Sequence, residues 1–269
     1  MPIISFTSDI GDKDYLPGAI KGKIASNIPE AQIIDITHHL PTFHSAQCAY
    51  LCKSTFLHYP PGSIHLVLAN VFDSKNAKLV LVKHNEQWII TSNNGLLPMM
   101  LNEDPAYCAD LSQNIPSPSN IMDLTDQFVD AAKKILLGKS LQDIGPNISL
   151  VKNSDLAPQI GENWIEGQII FIDRFENVVA NIPKSLFEEQ RNGRSFSIVF
   201  KRDEVIDSIS DSYADVAPGQ KLALFNAAGY LEIAVNRGNA AGLFGLQGYA
   251  DNQYLSNRVF YQTIRVYFQ

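Results

Sequence analysis

The run Ile3-Ile4-Ser5-Phe6-Thr7-Ser8-Asp9-Ile10-Gly11 is short, apolar and β-branched, and it ends in a carboxylate followed by a glycine. It reads as a buried strand whose carboxyl end delivers Asp9 into a loop. Leu16, Ala19, Ile20, Ile24 and Ile28 then recur at helical spacing until Pro29 stops the pattern. Gln32 to Thr37 is a second strand, and Ser45 to Tyr59 is a helix closed by Pro60-Pro61-Gly62. Ser63 to Ala69 is a third strand, whose unbroken apolar character fits burial on both faces. Leu79 to Lys83 and Trp88 to Thr91 are strands on either side of a polar turn at His84 to Gln87. Helices are expected from Asn94 to Leu101 and over Phe128 to Leu137, with Gly138 ending the second. This β-α-β-α-β order predicts an α/β domain with a mostly parallel sheet over residues 1–150.

After Gly145-Pro146 the texture changes. Residues 147–163 are rich in Asn, Ser and Pro, and a linker is placed at 151–163. Residues 164–269 carry short strands at Gln168 to Ile172, Val178 to Ile182, Ser195 to Phe200, Lys221 to Phe225, Tyr230 to Val235 and Val259 to Tyr267. One short helix lies near Lys184 to Gln190. An all-β antiparallel barrel or sandwich follows from this pattern.

The chain has 269 residues, room for two cores, and is 45% hydrophobic with 18% charged residues, a globular balance. A formal net charge of -7 argues against a nucleic-acid partner and for a small-molecule ligand. No apolar run approaches the roughly 20 residues of a membrane helix. The first residues lack a charged n-region and read as a strand, not a signal peptide. Cys48, Cys52 and Cys108 are an odd count without metal-site spacing, and Cys48 and Cys52 sit one helical turn apart on an apolar face. A reducing cytoplasm fits. The six histidines offer no helical i, i+4 pair, so neither a metal nor a resident cofactor is expected.

Ligands of open α/β sheets collect beyond the carboxyl ends of the strands. Asp9 stands at such an end, followed by Asp12 and Asp14. Carboxylates there would repel a phosphate but suit a cation or a ribose diol; Asp9 could equally cap the next helix. Asn70 ends the third strand and Asn93-Asn94-Gly95 a later one, so they can line one crevice or simply make turns. Asp173, Phe175 and Asn177 lie on a strand–turn–strand corner. There Phe175 could stack a flat heterocycle while Asn177 reads its edge, or the corner is an ordinary turn with a buried Phe.

Seven segments taken together resemble the S-adenosylmethionine hydroxide adenosyltransferases, the hydrolase relatives of fluorinase and chlorinase. They are Thr7 to Gly11 (TSDIG), Ala19 to Gly22 (AIKG), Ile34 to His38 (IDITH), Pro61 to His65 (PGSIH), Asn93 to Leu97 (NNGLL), Asp173 to Asn177 (DRFEN) and Leu231 to Asn236 (LEIAVN). The resemblance implies an α/β domain, a C-terminal β-barrel and a homotrimer, with S-adenosylmethionine bound between one subunit's first domain and its neighbour's second. It implies that Asp9 holds the ribose hydroxyls, that Phe175 and Tyr213 pack on adenine, and that Asn177 bonds the adenine edge. It also places Asp173 at the methionine amino group and Phe43 against the ribose or sulfonium.

Three positions depart from the family pattern. Asn70, Ala77 and Asp123 stand where an Asp, an Arg and a His would prepare the attacking water. Loss of general-base assistance typically costs about 10²–10⁴ in rate. Asn70 can hydrogen-bond water but cannot deprotonate it, Asp123 could orient it, and Asp73, Lys75 or Lys78 could supply charge. The resemblance therefore implies an adenosine-forming hydrolase with an altered water site. Its alternative is a catalytically silent adenosine or S-adenosylmethionine sensor.

Overall fold

The computed structural model describes residues 1–42, 44–72, 78–101, 103–112, 118–152, 157–201, 204–246 and 262–269. Phe43, Asp73, Lys75 and Ala77 lie outside the described residues. The chain divides into two compact units, Met1–Ser154 and Asp155–Gln269.

In chain order the first unit contains β1 (Ile3–Ser8), α1 (Leu16–Asn27), β2 (Gln32–Thr37), α2 (Ser45–Phe56), β3 (Ile64–Leu68), β4 (Leu79–His84), β5 (Gln87–Ser92), α3 (Leu96–Leu101), β6 (Ala109–Asp110), α4 (Ile121–Leu136) and α5 (Leu141–Ile144). Its sheet runs β2-β1-β3-β5-β4-β6. The first four strands are mutually parallel, whereas β4 pairs antiparallel with both β5 and β6, so the sheet is mixed. The reason is local: Asn85 and Glu86 join β4 to β5 with φ values of 47° and 61°. Two residues at positive φ make a hairpin turn, and a parallel crossover would need a dozen residues or more.

Both faces of the sheet are covered. On one, Ile4, Phe6, Leu66 and Leu68 pack with Ile20 and Ile24 of α1 and Phe128 and Ala132 of α4. On the other, Val67, Val80 and Val82 meet Cys48, Cys52 and Phe56 of α2 and Leu96 and Leu97 of α3. All three cysteines are buried free thiols. Two of the buried hydroxyls inside β1 are bonded, Ser5 to His65 at 2.6 Å and Ser8 to His38 at 2.8 Å. Helix α4 starts at Ile121, seven residues before the Phe128 expected from the sequence. Asn120 caps it by accepting from the Met122 and Asp123 N–H groups, at 2.8 and 3.2 Å.

The second unit contains β7 (Gln159–Ile160), β8 (Trp164–Ile172), β9 (Val178–Pro183), α6 (Lys184–Arg191), β10 (Phe196–Lys201), β11 (Glu204–Ile206), β12 (Lys221–Phe225), β13 (Tyr230–Val235), α7 (Ala240–Leu243) and β14 (Thr263–Phe268). The strands form one antiparallel sheet, β11-β10-β14-β8-β9-β13-β12, with β7 added beside β8. Its two ends approach each other. Lys221 on β12 pairs with Glu204 on β11, and the Ser210 N–H donates to the Ala223 carbonyl at 2.8 Å. The inner face closes around Phe187 of α6, which meets Phe196, Phe225 and Phe268 edge-on at 5.1, 5.3 and 5.7 Å.

Among the described residues, no helix is long and apolar enough to cross a membrane, and no group of three or more His, Cys, Asp or Glu side chains could hold a metal ion.

Candidate functional site

In the first unit the carboxyl ends of β1, β3 and β5 converge, as the parallel order requires. Asp9 follows β1, and its N–H donates to the Leu68 carbonyl at the end of β3, 3.1 Å away. Asp9 Oδ2 accepts the Asn70 N–H at 2.8 Å. Asn70 takes a left-handed conformation, φ 48°, which asparagine tolerates better than most residues. Asn94, beyond β5, closes the group: its Nδ2 donates to the Ala69 carbonyl at 2.8 Å and to the Asn70 carbonyl at 3.4 Å. Its Oδ1 accepts from the Leu96 N–H at 3.2 Å and so caps α3. Asn70 and the Asn-Asn-Gly segment thus meet at the same strand ends.

Asp9 does not cap α1. That contact belongs to Asp14, whose Oδ1 accepts from the Leu16 N–H at 3.1 Å. Burial raises the Asp9 carboxyl pKa above its ordinary value, while the Asn70 N–H opposes the rise. The carboxylate also lies near the Cys48 thiol, whose pKa burial, with Asp9 as the next cause, pushes up to about 12. Cys48 is therefore a protonated, fully buried core thiol behind Asp9, not a nucleophile.

A second polar chain braces the β1 end. Lys21 Nζ lies 2.7 Å from Asp35 Oδ2, Asp35 Oδ1 lies 3.3 Å from His38 Nε2, and His38 Nδ1 meets Ser8 Oγ at 2.8 Å. The residue types are those of a hydrolytic triad, but Ser8 is fully buried and cannot reach a substrate. The chain instead fixes the loop, where the Gly11 N–H donates to the His38 carbonyl at 2.6 Å. Burial lowers the His38 pKa and favours the neutral ring.

Asp123 sits at the start of α4. Its Oδ2 accepts from the Ser119 N–H at 2.8 Å and from Ser119 Oγ at 2.7 Å. These bonds hold its pKa below the ordinary carboxylate value. Part of its accepting capacity is thus spent on the helix start, where a carboxylate also complements the helix dipole.

In the second unit, Asp173 to Asn177 connects β8 to β9 in a turn braced by the Asp173 side chain. Asp173 Oδ1 accepts from the N–H groups of Phe175 and Asn177, both at 2.8 Å, and Asn177 Nδ2 donates to Asp173 Oδ2 at 3.0 Å. Glu176 adopts φ 65°, and its carbonyl accepts from the Ala241 N–H at 2.8 Å. Both Asp173 oxygens thus shape the turn. Phe175 is 75% exposed on top of it, so of the two readings the sequence left open, the turn with a buried phenylalanine is excluded. An exposed aromatic on a rigid turn is a ready stacking surface. Asn177 is buried beneath.

Tyr213 occupies a short 3₁₀ turn, Tyr213–Asp215, after β11. Its hydroxyl donates to Glu232 Oε1 on β13 at 2.7 Å. Burial raises the Glu232 pKa, and Asp173 lies close enough to raise it further, so Tyr213 and the Asp173 turn share one neighbourhood. Glu232 is the member that sequence reading missed. An isolated Glu in an apolar strand gives no local signal that it is buried and bonded.

The pattern of the SAM hydroxide adenosyltransferase N-terminal domain matches residues 4–145, and that of the C-terminal domain matches residues 167–251. An (R)-S-adenosyl-L-methionine hydrolase of Salinispora tropica is 25% identical over 260 residues, covering 91% of this chain and 94% of that protein. Its namesake from Thermus thermophilus is 26% identical, covering 91% and 96%. A fluorinase of Nocardia brasiliensis is 23% identical, covering 91% and 94%. Among solved structures, an uncharacterized conserved protein from Thermotoga maritima superposes with a TM-score of 0.76 at 23% identity, covering 98% of this chain and 99% of that one. The fold is thus shared along the whole length, and by its two matched domains the chain belongs to the S-adenosylmethionine hydroxide adenosyltransferase family.

Proposed function

We propose that this protein is an S-adenosylmethionine hydrolase that forms adenosine and methionine. Family membership supports the reading, and one observation carries it: Asp9 is held at the carboxyl ends of the central strands by the Asn70 N–H, half-buried and facing the crevice common to such sheets. A carboxylate there accepts both hydroxyl protons of a ribose diol and attracts a sulfonium. Phe175 and Tyr213 pack on adenine, and Asn177, whose Nδ2 is taken by Asp173, offers its Oδ1 to the amino group of the base. Asp173 meets the methionine amino group, and Phe43 lies by the sulfonium. The two halves of this binding set belong to different compact units. They come together between neighbouring subunits of a homotrimer, which works in the cytoplasm.

In the reaction, a water oxygen forms a bond to ribose C5′ as the C5′–S bond breaks. The electron pair stays on sulfur, giving the neutral thioether of methionine, and the water releases one proton. The leaving group needs no proton, so the protein must mainly position water and exclude alternatives. Asn70 and Asp123 orient that water. With Asn in place of the family's Asp and Ala77 in place of its Arg, slow turnover is expected.

A second reading, a silent adenosyl sensor, is favoured by the commitment of Asp123 Oδ2 to Ser119. Incubation with S-adenosylmethionine followed by chromatography separates the two. Equal amounts of adenosine and methionine support the hydrolase; bound but intact S-adenosylmethionine supports the sensor.

A further inference from the structure

Glu232 is 3% exposed, on a strand whose neighbours Leu231, Ile233 and Ala234 are all buried and apolar. Its backbone register pairs it with Leu224 on β12 and Val179 on β9. Its face of the sheet carries Leu222, Leu224 and Ala234. An apolar residue would fit there without the cost of burying a carboxylate. The carboxylate makes two specific bonds instead. Tyr213 OH donates to Oε1 at 2.7 Å, and the Asn226 side chain also hydrogen-bonds it. Asn226 Oδ1 accepts from the N–H groups of Ala228 and Tyr230, at 3.0 and 3.1 Å, which leaves its Nδ2 to face the carboxylate. One buried side chain therefore ties the Tyr213 turn to the hairpin loop before β13.

We infer that Glu232 is a positioning residue for adenosyl binding, fixing the Tyr213 ring through its hydroxyl and the 226–230 loop through Asn226. The inference rests on the adenosyl reading and deepens it. A tyrosine anchored at its hydroxyl loses little side-chain entropy when a base settles on its face; an unanchored ring must be ordered at that moment. Glu232 touches no substrate, and its effect runs through Tyr213.

The test is calorimetric titration of the full chain with adenosine, with thermal melts run in parallel. The proteins are wild type, Glu232→Ala, Glu232→Gln, Tyr213→Phe and the double variant Glu232→Ala/Tyr213→Phe. Glu232→Ala and Tyr213→Phe should each weaken binding about tenfold. Glu232→Gln, which keeps an acceptor oxygen, should stay within about threefold of wild type. The double variant should be no worse than Glu232→Ala, because that variant already removes the Tyr213 bond. Wild-type affinity in Glu232→Ala, or additive losses in the double variant, overturns the inference. Should Glu232→Ala fail to fold, the contrast between Tyr213→Phe and Glu232→Gln decides in its place, and equal affinities overturn it. Adenosine that fails to bind the wild type overturns the adenosyl reading itself.

Discussion

Asp9 Oδ2 accepts the backbone N–H of Asn70 at 2.8 Å, across the ends of two adjacent parallel strands. Position 70, where the resemblance implies a catalytic Asp, thus serves the Asp9 carboxylate through its backbone. Replacing Asp by Asn at position 70 leaves this bond untouched, because any residue supplies the N–H. On the proposed reading, a change of charge at position 70 is therefore separable from ribose binding at Asp9.

Asp9→Asn should uncouple binding from stability. Asn can still accept the Asn70 N–H but cannot hold a diol with a full charge, so adenosine affinity should fall by about 10–100-fold in calorimetry. Burial raises the Asp9 pKa above its ordinary 3.8, so folding disfavours the charged form. As pH rises from that value through the folded pKa, the wild type loses stability that Asp9→Asn keeps. At pH 7 the variant should melt at the same temperature as wild type or higher; a lower melting temperature contradicts this.

Asn94→Ala removes the clamp on the Ala69 and Asn70 carbonyls together with the cap on Leu96. A stability loss of about 1–2 kcal/mol is expected in denaturant unfolding, typical of a lost cap. Adenosine binding should weaken as well, because Asn70 no longer presents its N–H to Asp9 in a fixed direction. A variant with unchanged unfolding midpoint and affinity would show that the strand ends hold themselves.

Phe175→Ala should do the reverse. The ring is 75% exposed, so stability should change by no more than about 0.5 kcal/mol. Base stacking on an aromatic ring contributes about 1–3 kcal/mol, so affinity for adenosine should drop about tenfold or more. Full affinity in the variant would remove Phe175 from the ligand.

The strand-rich core was legible because its signals are local. Ile3 to Thr7 and Ser63 to Ala69 are apolar runs that can only be buried, and Cys48 and Cys52 fall on the inner face of α2 as their spacing requires. The start of α4 was not legible. Its first turn, Ile121-Met122-Asp123-Leu124, carries no strong helical signal, and only the Asn120 cap, with Asp123 bonded back to Ser119, fixes the boundary. The antiparallel edge was written in the two residues Asn85 and Glu86, but Glu is an uncommon choice at positive φ and hides the hairpin. Within the candidate site, motifs pointed to Asp9, Asn70, Asp173 and Asn177. That both Asp173 oxygens shape its own turn, and that Glu232 anchors Tyr213, depends on long-range or side-chain geometry that spacing does not encode.

Asp123→Asn tests the water site. Asn keeps an oxygen for Ser119 but discards the charge, so a role in orienting water should appear as a fall in kcat of about 10²-fold or more. The wild-type carboxyl is held below its ordinary pKa by Ser119, so it contributes stability above its unfolded pKa. That contribution is lost as pH falls through the folded pKa. The two proteins should therefore converge in stability at acid pH. An undiminished kcat would leave Asp123 with its bonds to Ser119 at the start of α4 alone.

Turnover of S-adenosylmethionine in ¹⁸O-water, with both products analysed by mass spectrometry, addresses the proposed chemistry itself. Attack of water at C5′ places one ¹⁸O in adenosine and none in methionine. Adenosine formed without the label, or no adenosine at all, would contradict it.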